Sequence, residues 1–264
     1  LKDVEFELEF FPFLHSVESV GLTTNYEIRV EDGVDSKKLI KAGMFQYQKT
    51  FPDRVKSRME ARKSLGLPLE GEVVLYTPDV HWENFERAYR IIVMSSFDNL
   101  TLYKNVIEVF RTRKNSKLII KMRPNDIFTP LLKEYVTGQN LSNILIFETD
   151  LQKLLTASDC LLVANTNVGY EGLFYDIPII VLKVPGRITT LSLSEEDACL
   201  ECENIGSLPG ILDKISTDRN YLDIQLLKQK EFLKNNYSFG IEESRKLTRI
   251  LIDYANQNFE SKIY

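Results

Sequence analysis

The sequence is poor in cysteine and histidine and has no long hydrophobic run. Its three cysteines are too few and too unevenly spaced for a disulfide framework, so a reducing, cytoplasmic setting is expected. Cys199 and Cys202 are separated by two residues, but neither a second pair nor a nearby histidine completes a metal site, so no metal is predicted. No stretch reaches the length of a transmembrane helix, and no signal peptide is recognised.

An excess of positive charge is also absent. The chain has 33 lysines and arginines against 38 aspartates and glutamates, a formal net charge of -5, so nucleic acid is not an expected partner. With 44% hydrophobic and 27% charged residues, the composition is that of a globular protein with ample material for a core. The sequence begins at Leu1 without an initiator methionine, which suggests a processed chain or, as the preferred interpretation, a fragment of a longer protein.

From about Gly71 onward, short apolar runs alternate with helical patterns. Such alternation, with few hairpin signals, predicts an α/β fold: a doubly wound, Rossmann-like parallel sheet of about six strands. The predicted strands are Val73–Tyr76, Lys117–Lys121, Ile144–Phe147, Leu161–Ala164, Ile179–Leu182 and Cys199–Glu203, and the predicted helices between them include Phe97–Arg113, Phe128–Val136 and Leu151–Ala157.

The two ends of the chain differ from this middle. Residues 1–46 are too short for a domain of normal size and are predicted to be the tail of a preceding domain or a lead-in segment. Residues 47–264 are predicted to form the Rossmann-like domain, closed by two helices at Tyr221–Asn235 and Ile241–Asn256.

Polar residues follow three of the predicted strands, where ligands bind in such sheets. Lys121 and Arg123 alternate along one strand end and share a face, an arrangement that suits a diphosphate or merely two solvated charges. Thr77 is followed by Asp79 and His81, which are candidates for acid–base work. The alternative for His81 is a packing residue beside the tryptophan that follows it.

The third polar segment joins a buried strand to a helix. Thr166 and Asn167 are the residues best placed to cap that helix, and such a turn can also point backbone N–H groups at a phosphate. Glu171, one turn into the helix, is placed to accept a hydrogen bond from a sugar hydroxyl, while Gly169 and Gly172 permit close backbone approach. The alternative is an ordinary βαβ unit whose polar turn only caps a helix.

Several segments follow one another in a characteristic order. They are Gly43-Met44-Phe45-Gln46-Tyr47, Val74-Leu75-Tyr76-Thr77-Pro78, Ile119-Ile120-Lys121-Met122-Arg123-Pro124, Asp150-Leu151-Gln152-Lys153-Leu154-Leu155 with Ser158-Asp159, and Asn165-Thr166-Asn167-Val168-Gly169-Tyr170-Glu171-Gly172-Leu173 with Ile177-Pro178-Ile179-Ile180. Together these segments resemble the carboxy-terminal, nucleotide-binding half of GT-B-fold glycosyltransferases, and most of all the capsule and teichoic-acid polymer enzymes that include the CDP-glycerol glycerophosphotransferases. The resemblance covers about Leu39 to Leu182.

The resemblance implies a transferase in surface polysaccharide biosynthesis that uses a nucleotide-diphosphate-linked sugar or polyol as donor substrate and needs no separate cofactor. Glu171 would match the acidic residue that binds the donor ribose, and Thr166 and Asn167 the turn at its phosphates. Lys121 and Arg123 fall where the family has Lys-x-His-Pro, with arginine replacing the histidine. Thr77 and Gly169 complete the predicted donor-binding set.

The acceptor is expected to be a glycan or polyol phosphate. The family's amino-terminal acceptor-binding domain is almost entirely missing from this sequence, so we expect poor turnover from the chain alone. The expected location is the cytoplasm, and peripheral association with the inner face of the membrane stays open. Two alternatives remain: a sugar-nucleotide epimerase of the same fold, and a non-catalytic nucleotide-binding module of a larger assembly.

Overall fold

The computed structural model describes residues 18–20, 39–41, 54–78, 99–124, 126, 128–164, 166–184, 193–194, 197–236, 245 and 248–253. The chain divides into two compact units. One comprises Leu1–Thr50 with Glu231–Tyr264, and its described strands β1 (Glu18–Val20) and β2 (Leu39–Lys41) pair in parallel. The other unit is Phe51–Lys230. The predicted division between residues 46 and 47 stays a prediction.

The larger unit contains a six-stranded parallel sheet, as the sequence predicts. Its strands are β3 (Glu72–Thr77), β4 (Ser116–Lys121), β5 (Ile144–Phe147), β6 (Cys160–Val163), β7 (Ile179–Leu182) and β8 (Leu200–Cys202). The central strands are apolar and buried on both sides because helices cover both faces of a parallel sheet.

The strands lie in the order β5-β4-β3-β6-β7-β8. The chain therefore builds outward from β3 in one direction, returns, and builds outward from β3 in the other. This is the strand order of the Rossmann fold, and the order reverses between β3 and β6. At that switch point the two connections leave on opposite faces of the sheet, so a crevice opens beyond the carboxyl ends of the strands.

The helices of the described residues cover the two faces of the sheet. They are α1 (Arg54–Leu65), α2 (Asn99–Arg111), α3 (Thr129–Gly138), α4 (Leu151–Ala157), α5 (Val168–Gly172) continued by a 3-10 turn at Leu173–Tyr175, α6 (Leu208–Thr217) and α7 (Arg219–Asn236). Val106 and Phe110 of α2, Leu132 of α3 and Leu212 of α6 pack in one cluster with alternate strand residues such as Ile120. Among the described helices, none is long and apolar enough to cross a membrane.

Helix α1 is attached to the rest of the fold by arginine side chains rather than by apolar side chains. Arg62 is 1% exposed; its Nε donates to the carbonyl of Ala157, the last residue of α4, at 2.9 Å, and its Nη2 pairs with Asp159. Arg58 Nη1 lies 2.6 Å from the same carboxylate. Asp159 also accepts a hydrogen bond from the Val73 amide at 2.8 Å. The Ser158-Asp159 part of the family-like pattern is therefore explained by folding, since it joins α1, β3 and β6 at the amino end of the sheet.

Candidate functional site

Four residues form a row across the carboxyl edge of the sheet. Thr77 ends β3 and is aligned with Val163 of β6, while Lys121 ends β4 and is aligned with Phe147 of β5. Because Tyr76 is aligned with Ile120, the next residues, Thr77 and Lys121, are also neighbours. Adjacent strands lie about 4.8 Å apart, so the row from Lys121 to Val163 spans about 10 Å at the switch point. Two of the predicted donor-binding residues are thus brought together.

The hydroxyl group of Thr77 is the member of this row that most clearly needs a hydrogen-bond partner. The residue is 3% exposed, and its Oγ1 has no hydrogen-bond partner within the described part of the chain. A buried hydroxyl without a partner costs about 1–3 kcal/mol, so such groups in folded proteins call for a specific reason. A ligand oxygen at the strand end would satisfy it.

Lys121 brings a positive charge to the same edge. Its side chain is half-buried, and its Nζ donates to the carbonyl of Met122 at 2.7 Å. Burial lowers the pKa of Lys121; the carboxylates of Glu148 and Asp150 oppose this, and the charge of Arg123 adds to it. The lowering effect of Arg123 on this pKa is consistent with two neighbouring cations, as their alternate positions in the sequence predict.

The turn after β6 differs from its prediction in one respect. Asn167 adopts helical backbone angles (φ -58°, ψ -16°) and makes no side-chain capping hydrogen bond. The carbonyls of Thr166 and Asn167 instead accept from the amides of Gly169 and Tyr170, each at 3.0 Å. The prediction that the Asn167 side chain caps the helix is therefore wrong, because the backbone is already helical at that residue. The Asn167 side chain is exposed, and Thr166 Oγ1 accepts a long hydrogen bond of 3.5 Å from the Val168 amide.

Glu171 lies on α5 with its side chain half-buried. Tyr175 follows it by four residues on the same side of the helical segment and is 3% exposed. Burial, with smaller contributions from the carboxylates of Glu171 and Asp150, raises the pKa of Tyr175 to about 12. Asp150 also acts on the pKa of Lys121, so its carboxylate lies within electrostatic range of both Lys121 and Tyr175.

Gly172 lets α5 lie close to the sheet. Gly169 and Gly172 are both buried. A Cβ added at Gly172 would lie within 2.4 Å of Leu161 Cδ2 and 3.4 Å of two Ile179 side-chain atoms. The close approach predicted at Gly172 is thus between helix and sheet, and it fixes how near Glu171 lies to the strand ends.

Sequence reasoning gave no site role to Asp150, Tyr175 or Arg54. Asp150 caps α4 by accepting from the Gln152 amide at 3.0 Å, and an aspartate followed by an apolar helical run is the usual sequence signal for that position. Tyr175 has no such signal, because its burial depends on tertiary packing.

Two predicted site residues belong to the part of the chain that the structure does not describe. Asp79 and His81, the predicted catalytic pair, lie outside the described residues, and their roles stay predictions. The described residues contain no cluster of three or more histidine, cysteine, aspartate or glutamate side chains suited to a metal ion. All three cysteines are buried free thiols, and burial raises the pKa of Cys199 to about 11.

No family model and no curated protein matches the sequence, whereas solved structures match the fold. The wall teichoic acid polymerase TagF superposes with a TM-score of 0.56 at 14% identity, over 92% of this chain and 59% of that one. A variant of that polymerase soaked with CDPG gives 0.58 at 14% identity, over 94% and 59%. Anabaena HepE in complex with UDP and glucose gives 0.54 at 14% identity, over 96% and 67%.

These likenesses show the fold: the chain is an α/β protein with the Rossmann-like sheet of the GT-B glycosyltransferases, as the sequence resemblance predicts. The chain spans about three fifths of the length of the teichoic acid polymerase that it matches.

Proposed function

We propose that this chain binds a nucleotide-activated donor, a nucleoside-diphosphate sugar or a CDP-linked polyol, at the carboxyl edge of its sheet. The observation that carries the proposal is the row at the switch point, where the buried Thr77 hydroxyl, which has no partner among the described residues, lies beside Lys121. A diphosphate supplies what that row lacks: acceptor oxygens for the hydroxyl and negative charge for the cation. The structures of similar fold that were solved with UDP and glucose, or soaked with CDPG, support a donor of this class.

The reaction class is transfer of the activated group in surface polysaccharide biosynthesis. Lys121, Arg123 and the turn at Thr166 would stabilise the charge that develops on the diphosphate leaving group. Glu171 would accept a hydrogen bond from a ribose hydroxyl. A glycan or polyol phosphate would be the acceptor, activated by His81, by Asp79 or by a base from another part of the full-length protein. The donor base, the transferred group and the acceptor are part of this proposal.

Isothermal titration calorimetry of the purified chain against UDP-, CDP- and GDP-linked donors tests the proposal. We expect one of the three series to bind, and Lys121→Met to weaken that binding by about 10- to 100-fold, the range of a lost charge-assisted hydrogen bond. Lys117→Met is the matched control. It removes the same charge from the same strand, four residues away at the amino end, where Lys117 Nζ contacts only the Ser142 carbonyl among the described groups. Heat from no donor, or equal weakening by both variants, would contradict the proposal.

A further inference from the structure

Arg54 lies at the start of α1 and reaches two other elements with one guanidinium group. Its Nη2 donates to the carbonyl of Ser158 at 2.9 Å, and its Nη1 donates to that of Thr156 at the end of α4. Its Nε donates to the carbonyl of Tyr175 at 2.8 Å. The last carbonyls of a helix have no partner within the helix, and a cation at that negative end is stabilising. The guanidinium therefore satisfies carbonyls at the carboxyl end of α4 and connects this helix to the end of the segment that continues α5.

The two joined segments carry the carboxylates of the candidate site. Helix α4 begins beside Asp150, and the segment that ends at Tyr175 carries Glu171 one turn earlier. The end of this segment is also held from α7, where Gln229 Nε2 donates to the carbonyl of Ile177 at 3.0 Å. Burial lowers the pKa of Arg54 to about 10, so the guanidinium keeps its charge at neutral pH.

We propose that Arg54 is a positioning residue for donor binding: it fixes the distance between α4 and the Glu171–Tyr175 segment and thereby holds the Glu171 carboxylate against the donor ribose. The inference rests on the proposed function. Arg54 itself does not touch the donor. Its effect on affinity must therefore pass through Glu171, which separates this role from a general contribution to folding.

A double-mutant cycle on the full chain measures that dependence. We expect Arg54→Met to weaken binding of the best nucleotide-linked donor by about tenfold when Glu171 is present, and by less than about twofold when Glu171→Gln is present. Arg58→Met is the matched control, because Arg58 lies one turn along the same helix, pairs with Asp159 at 2.6 Å and makes no hydrogen bond to the Tyr175 segment within the described part of the chain. The control should leave affinity unchanged. Arg54→Lys serves if Arg54→Met does not fold, since one ammonium group cannot reach all three carbonyls.

Hydrogen exchange of the amides from Gly169 to Asp176 gives a second readout that needs no donor. We expect Arg54→Met or Arg54→Lys to speed this exchange by about tenfold and Arg58→Met to leave it unchanged. Equal losses of affinity with and without Glu171, or unchanged exchange, would overturn the positioning role. If the unmodified chain binds none of the donors, the proposed function fails, and the exchange experiment alone decides whether Arg54 orders this segment.

Discussion

Arg62 and Arg58 both pair with Asp159, so their methionine variants can be compared to predict how much the buried arginine stabilises the fold. Arg62→Met keeps the approximate length of the side chain but removes all its donors. The wild-type guanidinium is 1% exposed, pairs with Asp159, and donates to the carbonyls of Ala157 at 2.9 Å and of Leu69 and Gly71 at 3.1 Å each. The variant leaves these acceptors inside the protein with fewer or no partners.

Removing one member of a buried ion pair costs about 3–5 kcal/mol, and we expect a loss in that range. Arg58→Met breaks a second ion pair to the same carboxylate, but that arginine side chain is 36% exposed, so about 1 kcal/mol or less is expected. For a folding unit of this size, 1 kcal/mol shifts the melting temperature by about 2–4 °C, so the two variants should differ by several degrees or more.

Urea unfolding followed by circular dichroism gives both free energies, with the slope of the transition checked for equality between variants. Raising the salt concentration should shrink the effect of Arg58→Met and leave that of Arg62→Met nearly unchanged, because buried pairs are screened less. If the two variants lose equal stability, within about 1 kcal/mol, the buried arginine is not the anchor of α1.

Three further predictions concern packing, titration and thiol reactivity. Gly172→Ala should destabilise the chain by about 1–3 kcal/mol in urea unfolding, because the new Cβ would lie 2.4 Å from Leu161 Cδ2. Valine has no δ carbon, so adding Leu161→Val should recover part of that loss. If the free-energy losses of the two single variants simply add in the double variant, the clash is not the cause. Donor affinity should fall as pH rises through the folded-state pKa of Lys121, which burial places below its ordinary 10.5, and calorimetry on Lys121→Met should show no such step. Because the folded-state pKa of Lys121 is lower than its unfolded-state pKa, the unfolded chain binds more protons between these two values. The contribution of Lys121 to the free energy of unfolding therefore rises as the pH increases through this interval. Cys199, whose pKa burial raises to about 11, should react slowly with a thiol reagent at pH 8 in the folded chain and fast in urea; equal rates would contradict its burial.

The strands were predictable because their residues are almost continuously apolar. The bounds of Ile144–Phe147 and Ile179–Leu182 agree with the prediction, and Leu151–Ala157 agrees because Asp150 marks its start. In a parallel sheet covered on both faces, burial alone selects these runs, so composition carries most of the information.

Helix α1 was not predicted, for a physical reason. Its outward positions include Val55 and Met59, which are 57% and 44% exposed, while Arg54, Arg58 and Arg62 recur every fourth residue on the side that contacts the fold. A helix that binds through guanidinium groups reverses the usual hydrophobic pattern, and apolar periodicity cannot detect it. The spacing of the three arginines is the signal that remains.

The placement of two predicted site residues was predictable, whereas their surroundings were not. Thr77 and Lys121 end apolar runs, so their position at the carboxyl ends of β3 and β4 follows from the parallel fold. The contribution of Tyr175, and the reach of Arg54 across more than a hundred residues, depend on tertiary contacts that leave no local pattern.

A co-crystal structure of this chain with the nucleoside diphosphate that binds most tightly would show whether the carboxyl edge of the sheet is the donor site. We expect diphosphate oxygens within hydrogen-bond distance of Lys121 Nζ and Thr77 Oγ1, with a ribose hydroxyl on the Glu171 carboxylate. A diphosphate bound at the amino end of the sheet, or anywhere that leaves these three side chains without contact, would contradict it.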